Sequence, residues 1–236
     1  MRTLSIPHFS QAGNTYRNDC GAACNKMVLS AYGKAQILSI SDIHAIMQKR
    51  QNTVDAPVSV EVMAATLVDL GLPCSKQEYI SIKTLYELLR NQRPSILLID
   101  YGVIQDAGMT TYPVYRGGHY VVLTGMDIVC AAVLDPLQDG TIEWPIDVLL
   151  EAMKTDNYNS ICITSKMGEP MEQNIGYVTA TSLKLREAPN TESRVLAYLK
   201  QNDMVVIKEE TDGWYFVETY KGSGYVGSKY IRIEEQ

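Results

Sequence analysis

The chain has 236 residues, of which 46% are hydrophobic, enough to pack one medium domain and a small one. A net charge of −6 and a pI of about 5.1 argue against a nucleic-acid binder, and no apolar run is long enough to span a bilayer. The five cysteines (Cys20, Cys24, Cys74, Cys130 and Cys162) are odd in number and lie mostly in apolar surroundings, which is not a disulfide framework. No Cys-x-x-Cys occurs and the three histidines are far apart, so neither a metal site nor a cofactor is expected.

Ile6-Pro7-His8-Phe9-Ser10-Gln11 reads as an extended arm, and Ala12-Gly13-Asn14 as a turn. The stretch Asn18-Asp19-Cys20-Gly21-Ala22-Ala23-Cys24 should break from loop into helix at Cys20. Asn18 and Asp19 are good N-cap residues. Cys24, Met27, Val28 and Ala31 then fall on one apolar face, and Gly33 is a C-terminal stop. A capped helix is expected around residues 41–47, where His44 should be a surface or satisfied histidine. Another starts at Ser59 and closes at Gly71, and a third around Leu85 and Leu89 ends at Arg93-Pro94. The character then changes. Residues 95–101 are a buried-strand run, 102–118 a loop containing Gly and Tyr, 119–125 a second strand and 129–134 a third. Asp135-Pro136 stops that strand. A helix begins at Pro145, and 160–164 is a last strand. Helices first and strands second predict an α+β domain.

Residues 166–174 have no periodicity and read as a linker. Beyond them, short strands near 177–178, 183–186, 195–199, 204–207, 214–218 and 224–226 alternate with turns, which predicts a small all-β barrel.

The chemistry centres on Cys20. A cysteine is most often a small buried hydrophobe, and Cys24 fits that description. Cys20 differs because it opens a helix, where orphan backbone N–H groups and the helix dipole favour the thiolate. A thiolate nucleophile needs a base, and the base needs an orienting acceptor. His119 follows Gly117-Gly118 at the lip of a strand, and Asp135 ends the neighbouring strand. A strand, a turn and a returning strand put both at one sheet edge, where the imidazole can bridge Cys20 and Asp135.

Three motifs in order, Asn-Asp-Cys-Gly-Ala-Ala-Cys, Gly-Gly-His-Tyr-Val-Val-Leu-Thr-Gly and Leu-Asp-Pro, resemble the papain-like cysteine peptidases of the double-glycine-leader peptidase group, over residues 1–165. The resemblance implies Cys20 as nucleophile, His119 as general base and Asp135 as the residue that orients it. It also implies a glutamine before the cysteine that helps bind the oxyanion. Gln11 is favoured for this because it follows the extended arm, and Asn14 occupies the position six residues before Cys20. The backbone N–H of Cys20 would be the other donor.

Residues 176–236 resemble a bacterial Src-homology-3-like domain. The resemblance rests on Leu183-Lys184-Leu185-Arg186-Glu187-Ala188-Pro189-Asn190, Asp212-Gly213-Trp214-Tyr215-Phe216-Val217 and Gly224-Tyr225-Val226-Gly227. Tyr177, Trp214, Tyr220, Tyr225 and Tyr230 are candidates to line a groove, although strand spacing makes Trp214 and Phe216 simpler to read as core. With eight Lys and Arg against nine Asp and Glu, this module is near neutral.

The expected fold is therefore a papain-like α+β peptidase domain (1–165), a linker (166–175) and an SH3-like barrel (176–236). The expected function is hydrolysis of peptide bonds, with peptidoglycan peptides as substrate and the barrel as targeting module. The alternatives are a leader-peptide-processing protease and a catalytically inactive peptide- or wall-binding protein. The chain opens without a signal-peptide h-region, so the expected location is the cytoplasm until release, or the cell wall by another route.

Overall fold

The computed structural model describes residues 1, 3–12, 18–112, 115–155, 157, 159–164, 166–167 and 175–233. The chain folds as two units, one formed by Met1–Met126 with Ala131–Met171 and the other by Asp127–Cys130 with Glu172–Gln236.

The first unit begins with three helices, α1 (Cys20–Ala31), α2 (Ile40–Gln51) and α3 (Val60–Asp69). Their boundaries follow local chemistry. Gly33 adopts φ +66° and its N–H bonds back to Ser30, while that of Lys34 bonds back to Leu29, which ends α1. The cap of α2 is Ser39, two residues earlier than the sequence pattern implied, because Ser39 and Asp42 form a reciprocal capping box. Ser59 caps α3 as expected. After β1 (Cys74–Gln77) come α4 (Ile82–Arg90), β2 (Ser95–Asp100), α5 (Tyr101–Asp106), β3 (Gly118–Met126), β4 (Cys130–Leu134), β5 (Thr141–Pro145), α6 (Ile146–Lys154) and β6 (Ser160–Ile163).

The six strands form one sheet in the order β1-β6-β2-β3-β4-β5. Ile96, Tyr120, Val122, Ile161 and Ile163 face one way and pack with Met27, Ile43, Met63 and Leu67 of α1–α3. The alternating residues Leu97, Ile99, Val121 and Leu123 point to the other face and are equally buried. The sheet is thus covered on both sides, which explains its near-continuous apolar runs.

The pattern missed β1, β5 and α5. Cys74-Ser75-Lys76-Gln77 is short, polar and at a sheet edge, where only pairing with β6 defines it. α5 starts at Tyr101, not within a loop, because the Asp100 side chain accepts the Gly102 N–H and turns the chain at the end of β2.

The second unit is all β: β7 (Ile175–Val178), β8 (Ser182–Arg186), β9 (Val195–Lys200), β10 (Met204–Thr211), β11 (Trp214–Thr219), β12 (Gly222–Gly227) and β13 (Ile231–Ile233), in the sheet order β13-β7-β10-β11-β12-β8-β9. Its core is Val178, Leu183, Leu185, Leu199, Val205, Tyr215, Val217, Val226 and Ile231. The reading of Trp214 and Phe216 as core is corrected here. Tyr215 and Val217 point inward, so Trp214 and Phe216 fall half-buried on the opposite face, where Phe216 meets Tyr225 with ring centroids 5.0 Å apart. Of the interval expected as linker, 168–174 lies outside the described residues. Ile175 already belongs to β7, because it pairs with Val206 and β-branched residues suit a strand.

Candidate active site

Cys20 is the first residue of α1. The helix can place it there because residue 21 has no side chain. A Cβ on Gly21 would sit 2.7 Å from Val58 Cγ2 and 2.9 Å from Met63 Sδ. Asp19 holds the N-cap position but its side chain makes no cap hydrogen bond. It lies instead 2.7 Å from His44 Nδ1, both side chains fully buried. Asn18 turns outward to Asp55. The expected capping by Asn18 and Asp19 is therefore replaced by two tertiary contacts.

His119 is supplied by β3, where it pairs with Ile99 of β2. Asp135 directly follows β4. Continuing the ladder one place past Val122↔Leu134 brings Asp135 beside Val121, whose face His119 shares at a spacing of two. The two side chains meet, His119 Nε2 lying 2.7 Å from Asp135 Oδ1, with His119 2% exposed and Asp135 not exposed at all. The carboxylate can only accept, so Nε2–H is the donor and Nδ1 is left for the cysteine side.

The electrostatics follow from burial and these contacts. Burial works against the Cys20 thiolate, but hydrogen bonding to His119, its positive charge and the backbone N–H groups of Tyr120 and Gly21 outweigh it, so the thiol ionises below its ordinary range. Burial likewise opposes a charged His119, yet its bonds to Asp135 and Cys20 push it up to about 9. Asp135 is held below the usual carboxylate range against its burial, chiefly by His119, then by the Leu137 N–H and Gln138. Burial pushes Cys24 and Cys162 up, and Cys74 to about 11. Cys24 instead donates to the Tyr120 carbonyl at 3.2 Å. A thiolate–imidazolium pair at the end of a helix can attack a carbonyl carbon and return a proton to a leaving amine.

Cys20 and His119 open onto a groove of about 970 Å³, also lined by Gln11, Leu98, Tyr112 and Tyr115. Gln11 reaches it because the arm is strapped to the segment after β4. Leu4 N–H bonds to Thr124, His8 Nε2 to the Asp135 carbonyl at 2.9 Å, and both Ser10 Oγ and the Gln11 N–H to the Pro136 carbonyl. The structure thus brings Cys20, His119, Asp135 and Gln11 together, while Asn14 lies outside the described residues. His44, expected as surface or satisfied, is buried and satisfied, with Asp19 on one nitrogen and the Val54 carbonyl 3.3 Å from the other. The pattern singled out neither Tyr101 nor Gln138, which both bond to Asp135. In the sequence Tyr101 reads as the end of a strand, and Gln138, three residues after Asp135, carries no signal of its own.

The model of the Peptidase_C39 like family matches residues 3–166. The chain belongs to that family. It is a cysteine peptidase of papain-like fold, and residues 181–232 match the bacterial SH3 domain. Among solved structures, a Bacillus anthracis protein described as a C39-like peptidase shares the fold at a TM-score of 0.55 and 14% identity, over 70% of this chain and 99% of that one. The peptidase domain of Streptococcus ComA, a bifunctional ABC transporter, aligns at a TM-score of 0.47 and 16% identity, over 67% of this chain and 100% of that one. A double glycine motif protease from an AMS/PCAT transporter, solved with its leader peptide, aligns at 0.44 and 16%, over 69% and 94%. No curated protein matches the chain. Among the described residues no helix is long and apolar enough to cross a membrane.

Proposed function

We propose that this peptidase works through Cys20, His119 and Asp135 and cuts peptidoglycan peptides, with residues 176–236 as a wall-targeting module joined to the peptidase domain (1–165) by a linker. One observation carries the catalytic part: the helix-terminal thiol with a depressed pKa contacts a histidine whose far nitrogen lies 2.7 Å from a buried carboxylate. In this reading the Cys20 thiolate attacks the scissile carbonyl carbon. The oxyanion takes hydrogen bonds from the Gln11 amide and the Cys20 N–H. His119 then gives its proton to the leaving amine, and a water activated by His119 hydrolyses the thioester. Asp135 keeps the ring oriented throughout.

The targeting part is supported by the match to a bacterial SH3 domain and by the half-buried row of Trp214, Phe216 and Tyr225 on the outer face of its sheet. Flat aromatic faces, with the polar groups of Trp214 and Tyr225 beside the plain ring of Phe216, suit recognition of extended, amphipathic chains. The test is release of new amines from purified cell wall. The full chain should release them and Cys20→Ala should not. Cleavage of small peptides but never of wall would overturn the substrate assignment. Residues 1–165 alone should keep turnover on a soluble peptide and lose it on wall, because tethering raises effective concentration without altering the chemistry.

A further inference from the structure

The Asp135 carboxylate has more partners than an orienting residue needs. Oδ1 accepts from His119 Nε2 at 2.7 Å and from the Leu137 N–H at 2.9 Å. Oδ2 accepts from the Tyr101 hydroxyl at 2.8 Å and from Gln138 Nε2 at 3.0 Å. Both oxygens are thus filled, one by the histidine and a main-chain amide, the other by two side chains.

Tyr101 also touches the second member of the pair. Its ring meets that of His119 edge-on, with centroids 4.8 Å apart. Its hydroxyl lies 2.9 Å from Thr110 Oγ1 and 3.3 Å from Gln138 Nε2. Because the phenolic hydrogen goes to a carboxylate, Thr110 and Gln138 must donate to the phenol oxygen, so the hydrogen-bond direction around Tyr101 is fixed.

We propose that Tyr101, supported by Gln138 and Thr110, is a positioning residue that locks the Asp135 carboxylate in the rotamer facing His119. The inference rests on the reading of Cys20, His119 and Asp135 as one catalytic unit. Without the phenol, Oδ2 would keep only Gln138, and a buried carboxylate with an unfilled lone pair either rotates or takes up a proton. Burial, joined by the neighbouring Asp135 charge, pushes the Tyr101 phenol above its ordinary range, so it remains a donor wherever the enzyme works. The titratable groups that face Asp135 are His119 of β3, Tyr101 of α5, His8 of the arm on its carbonyl oxygen and, at longer range, Cys24 of α1.

The sign of the effect follows. Removing a donor from the carboxylate raises the pH at which it protonates. A protonated or rotated Asp135 supports the imidazolium less, and the Cys20 thiolate in turn. The experiment compares wild type with Tyr101→Phe, which keeps the ring against His119, in two readouts. These are the pH dependence of Cys20 alkylation by iodoacetamide and the pH profile of kcat/KM on a soluble peptide. In Tyr101→Phe the acid limb of both should move to higher pH by about half a pH unit or more, with kcat down roughly tenfold and KM unmoved. Gln138→Leu should shift the limb the same way by less, and it serves if Tyr101→Phe does not fold. A folded variant with the limb and kcat of wild type would overturn the proposal. If wild-type Cys20 alkylates no more readily at low pH than a free thiol, the catalytic unit itself falls and the role of Tyr101 with it. If wild type shows the depressed thiol and the variants match it, only Tyr101 loses its role.

Discussion

Two buried histidine–aspartate pairs lie in the peptidase unit, each closed at 2.7 Å: His119 with Asp135 and His44 with Asp19. Asp19 even sits next to Cys20 in the chain. The pairs differ in what lies on the far side of the ring. His44 Nε2 meets the Val54 carbonyl and, at 3.9 Å, Asp55, so both of its nitrogens end on oxygen acceptors and the ring ties α2 to the start of α1. His119 has a carboxylate on one nitrogen and a thiol on the other side, at the wall of an open groove. Burial and a carboxylate partner alone therefore make a strut. The His119 pair adds a thiol beside the ring and an open groove.

This contrast can be broken by mutation, and the largest expected effects fall on one pair only. Cys20→Ala and His119→Ala should each reduce peptide hydrolysis to background in a folded protein, and the double variant should be no worse, because members of such a unit are strongly non-additive. Steady-state rates with circular dichroism as the folding control decide this. A folded, active His119→Ala would assign the base elsewhere. Asp135→Ala should be less damaging than His119→Ala by roughly one to two orders of magnitude in kcat, since in the proposed mechanism it orients the base without moving the proton itself.

Gln11→Ala should cost about a hundredfold to a thousandfold in kcat, as loss of one oxyanion donor does. Asn14→Ala, measured beside it, should leave kcat near wild type, and the reverse order would move the role to Asn14. The smallest catalytic effect belongs to the other pair. His44→Ala strands a buried carboxylate at Asp19 and should lower the unfolding free energy by about 3 kcal/mol, read by denaturant titration. Whatever activity remains should keep its alkaline limb near pH 9, because that limb reports the proton on His119, which is present below about 9 and lost above it. A His44→Ala limb that moves would make the two pairs one network.

The contrast also explains what the sequence made legible. Cys20, His119 and Asp135 each sit where a local signal is strong: a helix start after cap residues, a strand after two glycines, a strand end before proline. Their meeting followed from strand–turn–strand logic. Gln11 was visible only as an arm position, because its place depends on bonds to Pro136, far away in the chain. Asp19 takes the N-cap position the sequence implies, but its side chain goes to His44 for the same reason, since a short polar residue before a helix gives no sign that a buried histidine will claim it. The strands β1 and β5 have too few apolar positions to show a period of two. Tyr101 was hidden because a tyrosine after a buried strand looks like more strand, and only the turn made by Asp100 reveals it. In the barrel, alternation was legible but its phase was not: a one-residue shift decides whether Trp214 or Tyr215 faces inward, and bulk alone favours neither.

The strap across the end of β4 has a consequence for the order in which the molecule becomes an enzyme. His8 and Asp135 are 127 positions apart, and Ser10 and Pro136 are 126 apart. The arm is therefore made well before its docking strip, which does not exist until β3 and β4 have been made and paired. Contacts of such long sequence separation form late, after the loop they close has been ordered by other means. A nascent chain that stops short of Asp135 carries Cys20 but has neither the carboxylate that meets His119 nor the Pro136 carbonyl that holds Gln11. In the proposed mechanism the thiol is thus made well before the groups that would activate it.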